Sequence, residues 1–260
     1  MRIRINTKAF LVVIIFILLL LLGGGVFFLY TNFLKPTDAT KVPYEADVTE
    51  YVVDKSDSGD SALINNPIDF RTLQKRNSEV VAWISVPDTN IDYPILRSLS
   101  RDDFYLHHDI DGDYLYAGSI YMEYCNAPEF DDRVTVLYGH NMMDGSMFAN
   151  LHKFEDKSFF DKHDRFYIYT PGHKLTYEVA SAYIYDDRHI MNTFNFDNDK
   201  EFKEYLSSVE NPRSTNYNVR SSPNHKLTVD DKIVTLSTCL DVGDGRYLLQ
   251  GVLIKDELTR

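Results

Sequence analysis

A cysteine, a histidine and an arginine lie at the ends of predicted strands, and their types are those of a thiol-based catalytic site. Cys239 ends the β-branched and apolar segment 232–239, and Arg246 opens the next predicted strand seven positions later. His140 ends the segment 134–140, which lies 99 residues upstream of Cys239. A thiol with a pKa of about 8.5 is only partly ionised at neutral pH. A neighbouring imidazolium and guanidinium would favour the reactive thiolate.

A structural role for Cys239 is the alternative at this point. Free cysteine behaves as a small hydrophobic residue and is often buried. The chain has two cysteines, and in an oxidising compartment they could form one disulfide. We expect Cys125, which ends the predicted strand 119–125, to be unpaired, but the sequence alone leaves the bridge open.

Several short motifs carry a resemblance to a known family. The segment 235–239 (Thr-Leu-Ser-Thr-Cys), the Tyr-Gly-His sequence that ends at His140, and Arg246 together resemble the sortases. Sortases are cysteine transpeptidases of Gram-positive cell surfaces, and they are classed as hydrolases and thiol proteases. Five further segments are similar in order and spacing to class B sortases: residues 90–94, 105–109, 117–122, 137–142 and 144–148. The similarity covers about residues 66 to 256.

The resemblance implies a role for each of the three residues. Cys239 would attack a backbone carbonyl in a C-terminal sorting-signal pentapeptide, after Thr, and form a thioester. His140 would protonate the leaving amine and later deprotonate the incoming amine of the peptidoglycan precursor. Arg246 would donate to the oxyanion as it develops. The surface protein that bears the signal would thereby become attached to the cell wall.

Substrate-binding residues are predicted at Leu106, Tyr138 and Ser237, which match positions that line the groove in class B enzymes. Each also has an ordinary explanation, respectively as a core residue, a half-buried strand aromatic and a hydrogen-bonded strand residue. Asp241 is a candidate for orienting Arg246 or His140, although an Asp in a Gly-containing turn often serves local hydrogen bonding. The resemblance implies no cofactor, and no metal-ligand spacing or nucleotide motif is present.

The elements that would position these residues are short strands with turn punctuation, typical of a mainly β barrel or sandwich. About eight strands are predicted, at residues 80–86, 91–96, 119–125, 133–140, 165–170, 174–185, 232–238 and 247–255. The sortase resemblance implies that they close into a barrel. Helices are predicted near the domain's start with Asn66 as N-cap, at residues 147–154, and at 199–210 between strands six and seven.

The N-terminal part has the pattern of a membrane anchor. Residues 1–8 carry three basic and no acidic side chains, and residues 9–30 are uninterrupted by charge. This length suits one transmembrane helix with its N-terminus in the cytoplasm. A cleaved signal peptide is the alternative, but its apolar region is usually shorter and ends in a small-residue cleavage site. We expect residues 31–65 to be an extracellular linker and residues 66–260 to be the extracellular catalytic domain.

The net charge and the sequence motifs help to choose among the possible functions of the chain. The formal net charge of −12 makes nucleic acid a poor partner. Another cell-wall cysteine peptidase, such as an L,D-transpeptidase, would use the same residue types, but in a Ser-His-Gly-Cys setting that is absent here. A membrane-anchored β-domain that only binds a partner is the non-catalytic alternative. Residues 251–260 lack a sorting signal, which favours the enzyme.

Overall fold

Short segments with alternating apolar residues form nine strands in the part of the chain that the computed structural model describes, namely residue 23, residues 63–220 and residues 226–260. They are β1 (Val80–Ser85), β2 (Asp92–Leu96), β3 (Ile120–Met122), β4 (Val134–Tyr138), β5 (Arg165–Thr170), β6 (His173–Tyr185), β7 (Tyr217–Val219), β8 (Ile233–Cys239) and β9 (Arg246–Leu258). The predicted strand 119–125 is shorter in the structure, and Cys125 lies in the turn that follows it. The three-residue strand β7 was not predicted, because three residues are too few to show a period.

Eight of these strands close into a barrel, as predicted. The order is β5-β1-β2-β3-β4-β8-β9-β6, and β6 pairs back onto β5. Strand β6 is long enough to have two partners on one edge, since residues 173–178 pair with β5 and residues 181–183 pair with β7. The β4–β8 and β2–β3 pairs are parallel. Strand β8 is therefore central, between the parallel β4 and the antiparallel β9.

Four α-helices and two 3-10 helices surround the barrel in the described residues: α1 (Phe70–Arg76), α2 (Lys157–Lys162), α3 (Ile190–Thr193) and α4 (Asp199–Glu210), with 3-10 turns at Phe104–Leu106 and Ala149–Glu155. The helix predicted over 147–154 is thus a 3-10 helix that begins two residues later. Met147 has a φ of 56°, which a helical residue cannot adopt, so the helix begins after it.

The N-terminal helix forms, but its predicted cap is wrong. Asp69 caps α1 by accepting from the backbone N–H of Thr72 at 3.0 Å. Asn66 instead donates to the backbone oxygen of Thr170 and to Oγ1 of Thr259, at 3.0 and 3.1 Å. Asn66 therefore ties the start of the domain to the barrel rather than starting the helix.

The long helix α4 lies between strands six and seven, as predicted. Its apolar face contributes four buried side chains, namely Phe202, Tyr205, Leu206 and Val209. They pack on outward-facing strand residues such as Val136 and Leu248. The alternate strand residues, among them Leu137, Leu236 and Leu249, fill the barrel interior. Each large side chain buried in this way stabilises the fold by about 1.5–3 kcal/mol relative to exposure.

Within the ranges described, none of the helices is long and apolar enough to cross a membrane. The predicted anchor at residues 9–30 lies outside those ranges except for residue 23, and most of the predicted linker also lies outside. Ile64 forms a bridge with Thr259, so the folded part includes Ile64, just before the predicted boundary at residue 66.

Candidate active site

Strand register places two of the predicted catalytic residues directly opposite each other. Cys239, the last residue of β8, pairs with Arg246, the first residue of β9. On the other edge of β8, Ser237 pairs with Tyr138 of β4. Paired residues on neighbouring strands have Cβ atoms about 4.5–5.5 Å apart. The guanidinium is thus carried beside the thiol by a rigid pair of strands.

His140 lies on the opposite side of Cys239. Beyond the end of β4, the Gly139 N–H donates to the backbone oxygen of Ser237 at 3.2 Å. The Thr238 hydroxyl donates to the backbone oxygen of Gly139 at 2.8 Å. These bonds continue the β4–β8 pairing just beyond Tyr138 and Ser237, and His140 and Cys239 each follow two residues after that pair. His140, Cys239 and Arg246 therefore form one row at the ends of three neighbouring strands, with His140 just beyond the end of β4.

The thiol in this row is free and reachable. Cys239 and Cys125 are both unpaired and exposed, which excludes the disulfide alternative in this structure. Alternation along β8 explains the exposure, because Leu236 points into the barrel core and Cys239, three positions later, points outward. His140 and Arg246 are half-buried on either side.

The environment of His140 favours its neutral form. Nε2 lies 2.9 Å from the backbone oxygen of Leu106, so Nε2 carries the proton and donates it. The ring stacks on Tyr116 and on His107, with centroid distances of 5.6 and 5.2 Å. Burial lowers the pKa of His140, the Leu106 hydrogen bond opposes this, and the neighbouring His107 adds to the lowering. A neutral ring with Nδ1 unprotonated can accept a proton from a thiol or an amine.

Arg246 is held by its own turn. Nη1 donates to the backbone oxygens of Asp244 and Gly245, both at 3.1 Å. A guanidinium has five N–H donors in a fixed plane, so these two contacts leave Nη2 and Nε able to donate to a substrate oxygen. The turn therefore orients the cation without using all of its donors.

Asp241 does not orient Arg246 or His140, and that prediction is wrong. Its Oδ1 accepts from Nδ2 of Asn141 at 2.8 Å. Asn141 also donates to the backbone oxygen of Cys239 at 3.2 Å. The carboxylate therefore acts on the backbone of the cysteine through Asn141. The sequence could not indicate this, because Asn141 and Asp241 come from different loops.

The predicted groove residues lie next to the row. Tyr138 and Ser237 are paired with each other, and each lies two residues before a catalytic candidate, His140 and Cys239 respectively. The Leu106 carbonyl bonds His140, and the Leu106 side chain packs with Tyr138 on the outer cluster beneath α1. Ser237 is only 3% exposed, so a substrate could contact only a small part of its surface.

Sequence reasoning missed a buried carboxylate beneath this groove. Glu123 is 6% exposed and accepts from the Tyr138 hydroxyl at 2.8 Å. Its Oε2 also lies 3.0 Å from Nε2 of His189, in the segment between β6 and α3. Burial, followed by the Glu123 charge, raises the pKa of the Tyr138 hydroxyl. Glu123 thus joins the segment after β6 to the groove, and a single acidic residue after a strand carried no signal for this.

Comparison with known proteins identifies the family of this chain. A model of the sortase domain matches residues 84–254. Sortase B of Listeria monocytogenes is 41% identical over 192 residues, which cover 72% of this chain and 74% of the relative. Sortase B of Staphylococcus aureus is 31% identical over 172 residues, which cover 66% and 68%. A crystal structure of sortase B from Bacillus anthracis in complex with AAEK1 aligns with a TM-score of 0.63 at 36% identity, covering 72% of this chain and 84% of that one. This chain therefore belongs to the sortase family of cysteine transpeptidases, in class B.

Proposed function

We propose that the protein cleaves a C-terminal sorting-signal pentapeptide after Thr and transfers the surface protein to an amine of the peptidoglycan precursor. The observation that carries the proposal is that Cys239 and Arg246 are opposite each other at the ends of β8 and β9, with His140 two residues beyond the end of the neighbouring β4. Sortase B relatives act at the surface of Gram-positive cells and anchor proteins to the wall. The finer steps follow from what each side chain can do in its place.

Cys239 is the nucleophile in this proposal. The Sγ–C bond to the Thr carbonyl forms as the carbonyl π electrons move to oxygen, and the tetrahedral species then collapses with loss of the amine. Arg246 donates to the oxygen while it is negative. His140 supplies the proton that the leaving amine needs, having taken it from the thiol. The thioester is then attacked by the acceptor amine, and His140 takes the proton released.

Substrate binding is proposed along Leu106, Tyr138 and Ser237. These three residues share the outer face with Cys239, so an extended peptide lying over them would present its scissile carbonyl to the thiol. The hydroxyl of Tyr138 is held by Glu123 at 2.8 Å, which fixes the ring that would face the peptide. No cofactor is required by these steps.

The chain's arrangement at the membrane is also a proposal. Residues 1–8 would lie in the cytoplasm, residues 9–30 would cross the membrane once, and residues 31–65 would hold the catalytic domain at residues 66–260 outside the cell. The support is the uncharged run in the sequence, with basic residues only before it. Such an anchor would keep the enzyme next to newly exported proteins and to the lipid-borne wall precursor.

The test uses the full chain in detergent with a library of fluorogenic pentapeptides, with and without an amine acceptor. We expect cleavage after Thr, a mass adduct of the acyl fragment on Cys239, and a ligated product when the amine is present. Cys239→Ala should abolish both products, and Cys125→Ala is the matched thiol control that should keep them. Turnover that survives in Cys239→Ala would overturn the proposed mechanism. An adduct on Cys125 would do the same.

A further inference from the structure

His152 contacts the residue that carries the thiol, although it is 87 residues away in sequence. It lies on the 3-10 helix Ala149–Glu155, and its Nε2 is 3.0 Å from the backbone oxygen of Cys239. A carbonyl oxygen can only accept, so a hydrogen bond here is donated by the Nε2–H group. The Glu155 carboxylate at Nδ1 also only accepts, so the ring makes both bonds in its doubly protonated form. Nε2 also lies 3.2 Å from Nδ2 of Asn141, which donates to the same carbonyl oxygen. The His152 side chain is 17% exposed, whereas Cys239, which carries the accepting oxygen, is exposed.

The ring of His152 is held on its other two sides. Nδ1 lies 2.6 Å from Oε1 of Glu155, one helical turn later. The second oxygen of Glu155 accepts from Nδ2 of Asn216 at 3.0 Å. The imidazole also stacks on Tyr247 with a centroid distance of 4.9 Å and an interplanar angle of 26°. Together these contacts leave the ring one orientation, in which Nε2 faces Cys239.

The Cys239 carbonyl that His152 contacts lies at the end of β8, where strand pairing stops. Cys239 is the last residue of β8, and residues 241–244 of the following turn are exposed. Beyond Cys239 the ladder to β9 no longer fixes the backbone. The Asn141 amide and the His152 imidazole both approach the Cys239 carbonyl, at 3.2 and 3.0 Å. A shift of the Cys239 backbone at this strand end would move the thiol relative to His140 and Arg246.

We propose that His152 is a positioning residue for the transpeptidation reaction: by donating to the Cys239 carbonyl, it fixes the backbone from which the thiol attacks. The inference rests on the proposed role of Cys239 as nucleophile. His152 does not touch the reacting atoms in this proposal, and it acts only through the backbone of Cys239. Its effect should therefore fall on the rate of acyl transfer and not on the affinity for the peptide.

Two substitutions separate donation from packing. His152→Gln places an amide N–H near the position of Nε2, so it retains the donor but loses the stack on Tyr247. His152→Phe retains the stack but has no donor. His173→Gln is the matched control, because His173 is also paired with a carboxylate, Asp256, at 2.7 Å, and takes no part in the site.

The experiment measures kcat and KM for the cleaved pentapeptide, and the single-turnover rate of acyl-enzyme formation, on the full chain of each variant. Rates are normalised to the folded fraction obtained from circular dichroism. We expect His152→Phe to lower the acylation rate about tenfold with KM within about twofold, since one hydrogen bond to a positioned group is lost. His152→Gln should stay within about threefold of the parent, and His173→Gln should be unchanged.

The proposal fails if His152→Phe acylates as fast as the parent, or if His152→Gln is the slower of the two. Either result would assign the residue to packing alone. If His152→Phe does not fold, Glu155→Gln provides the second variant, because it removes the charge that holds Nδ1 while leaving the ring in place. It should lower the acylation rate about threefold, and an unchanged rate would overturn the proposal. A Cys239→Ala variant that still cleaves would refute the proposed function instead, so the two failures are distinguishable.

Discussion

Gly139 lies between Tyr138 and His140, and the barrel interior leaves no room for a side chain there. A Cβ at this position would lie 2.4 Å from Cδ1 of Ile120 and 2.8 Å from Cγ of Phe148. Both neighbours are at most 1% exposed, so neither can move into solvent. Real Cβ atoms do not approach carbon this closely, and therefore Gly139→Ala must displace either the core or the strand end that carries His140.

The expected cost follows from overpacking. Inserting a methyl group into a well-packed core destabilises by about 1–3 kcal/mol. The contact with Ile120 is the shorter of the two, so removing Cδ1 with Ile120→Val should relieve part of the strain. Ile120→Val alone should cost about 0.5–1.5 kcal/mol through the cavity that it leaves. The double variant should therefore lose less stability than the sum of the losses in the two single variants. The difference, which is the coupling energy, should be at least about 0.5 kcal/mol.

The assay is urea denaturation of the parent, both single variants and the double variant, followed by kcat for the pentapeptide. We expect Gly139→Ala to lower kcat as well as stability, because His140 is the next residue. We also expect Ile120→Val to restore part of both. Costs that add within about 0.3 kcal/mol, or a Gly139→Ala variant as stable as the parent, would refute the steric argument. Reduced stability with full activity would show that the core, and not the strand end, gives way.

Three further predictions follow from the site. Arg246→Lys should lower kcat about a hundredfold with little change in KM. The reason is that an ammonium group cannot bond the turn carbonyls and donate to an oxyanion at the same time. A comparison of kcat at saturating peptide checks this. Burial lowers the pKa of His140 below its unfolded value of 6.5. As the pH falls below 6.5, the imidazole is protonated more readily in the unfolded chain than in the folded one. The free energy of unfolding therefore keeps its His140 contribution above pH 6.5 and loses it progressively below that pH. His140→Gln should therefore flatten the pH dependence of the free energy of unfolding below pH 6.5, as followed by urea titrations at several pH values, and an unchanged slope would contradict the burial argument. Partial desolvation of the sulfur, followed by the charge of Glu123, raises the pKa of the Cys125 thiol. In a Cys239→Ala background, Cys125 should therefore react with iodoacetamide more slowly at pH 7 than glutathione does.

The strand pattern and the catalytic residue types could be read from the sequence because both depend on local chemistry. Alternating side chains predicted the strand around residues 165–170 at its observed bounds, and the 3.6-residue period predicted α4 at residues 199–210. The motif ending in Cys239 was informative for the same reason, since the strand and its terminal thiol are contiguous. Barrel closure came from the resemblance, because alternation does not distinguish a closed barrel from a sandwich.

Where local pattern was weak, prediction failed. Asn66 has the residue type of an N-cap, but it is hydrogen-bonded to the barrel, and Asp69 caps α1 instead. The spacing of apolar residues after His140 is helical, yet the positive φ of Met147 delays the helix and makes it 3-10. In both places, contacts with distant parts of the chain override the local preference.

The sequence by itself therefore determined which residues could do the chemistry and which elements carry them. Only the tertiary structure decided how they are supported: that His152 and Asn141 meet at the Cys239 carbonyl, that Asp241 acts through Asn141, and that Glu123 holds Tyr138. The physical reason is that these hydrogen bonds join segments brought together by barrel closure. Their partners follow from loop conformation and strand register, neither of which has a period in the sequence.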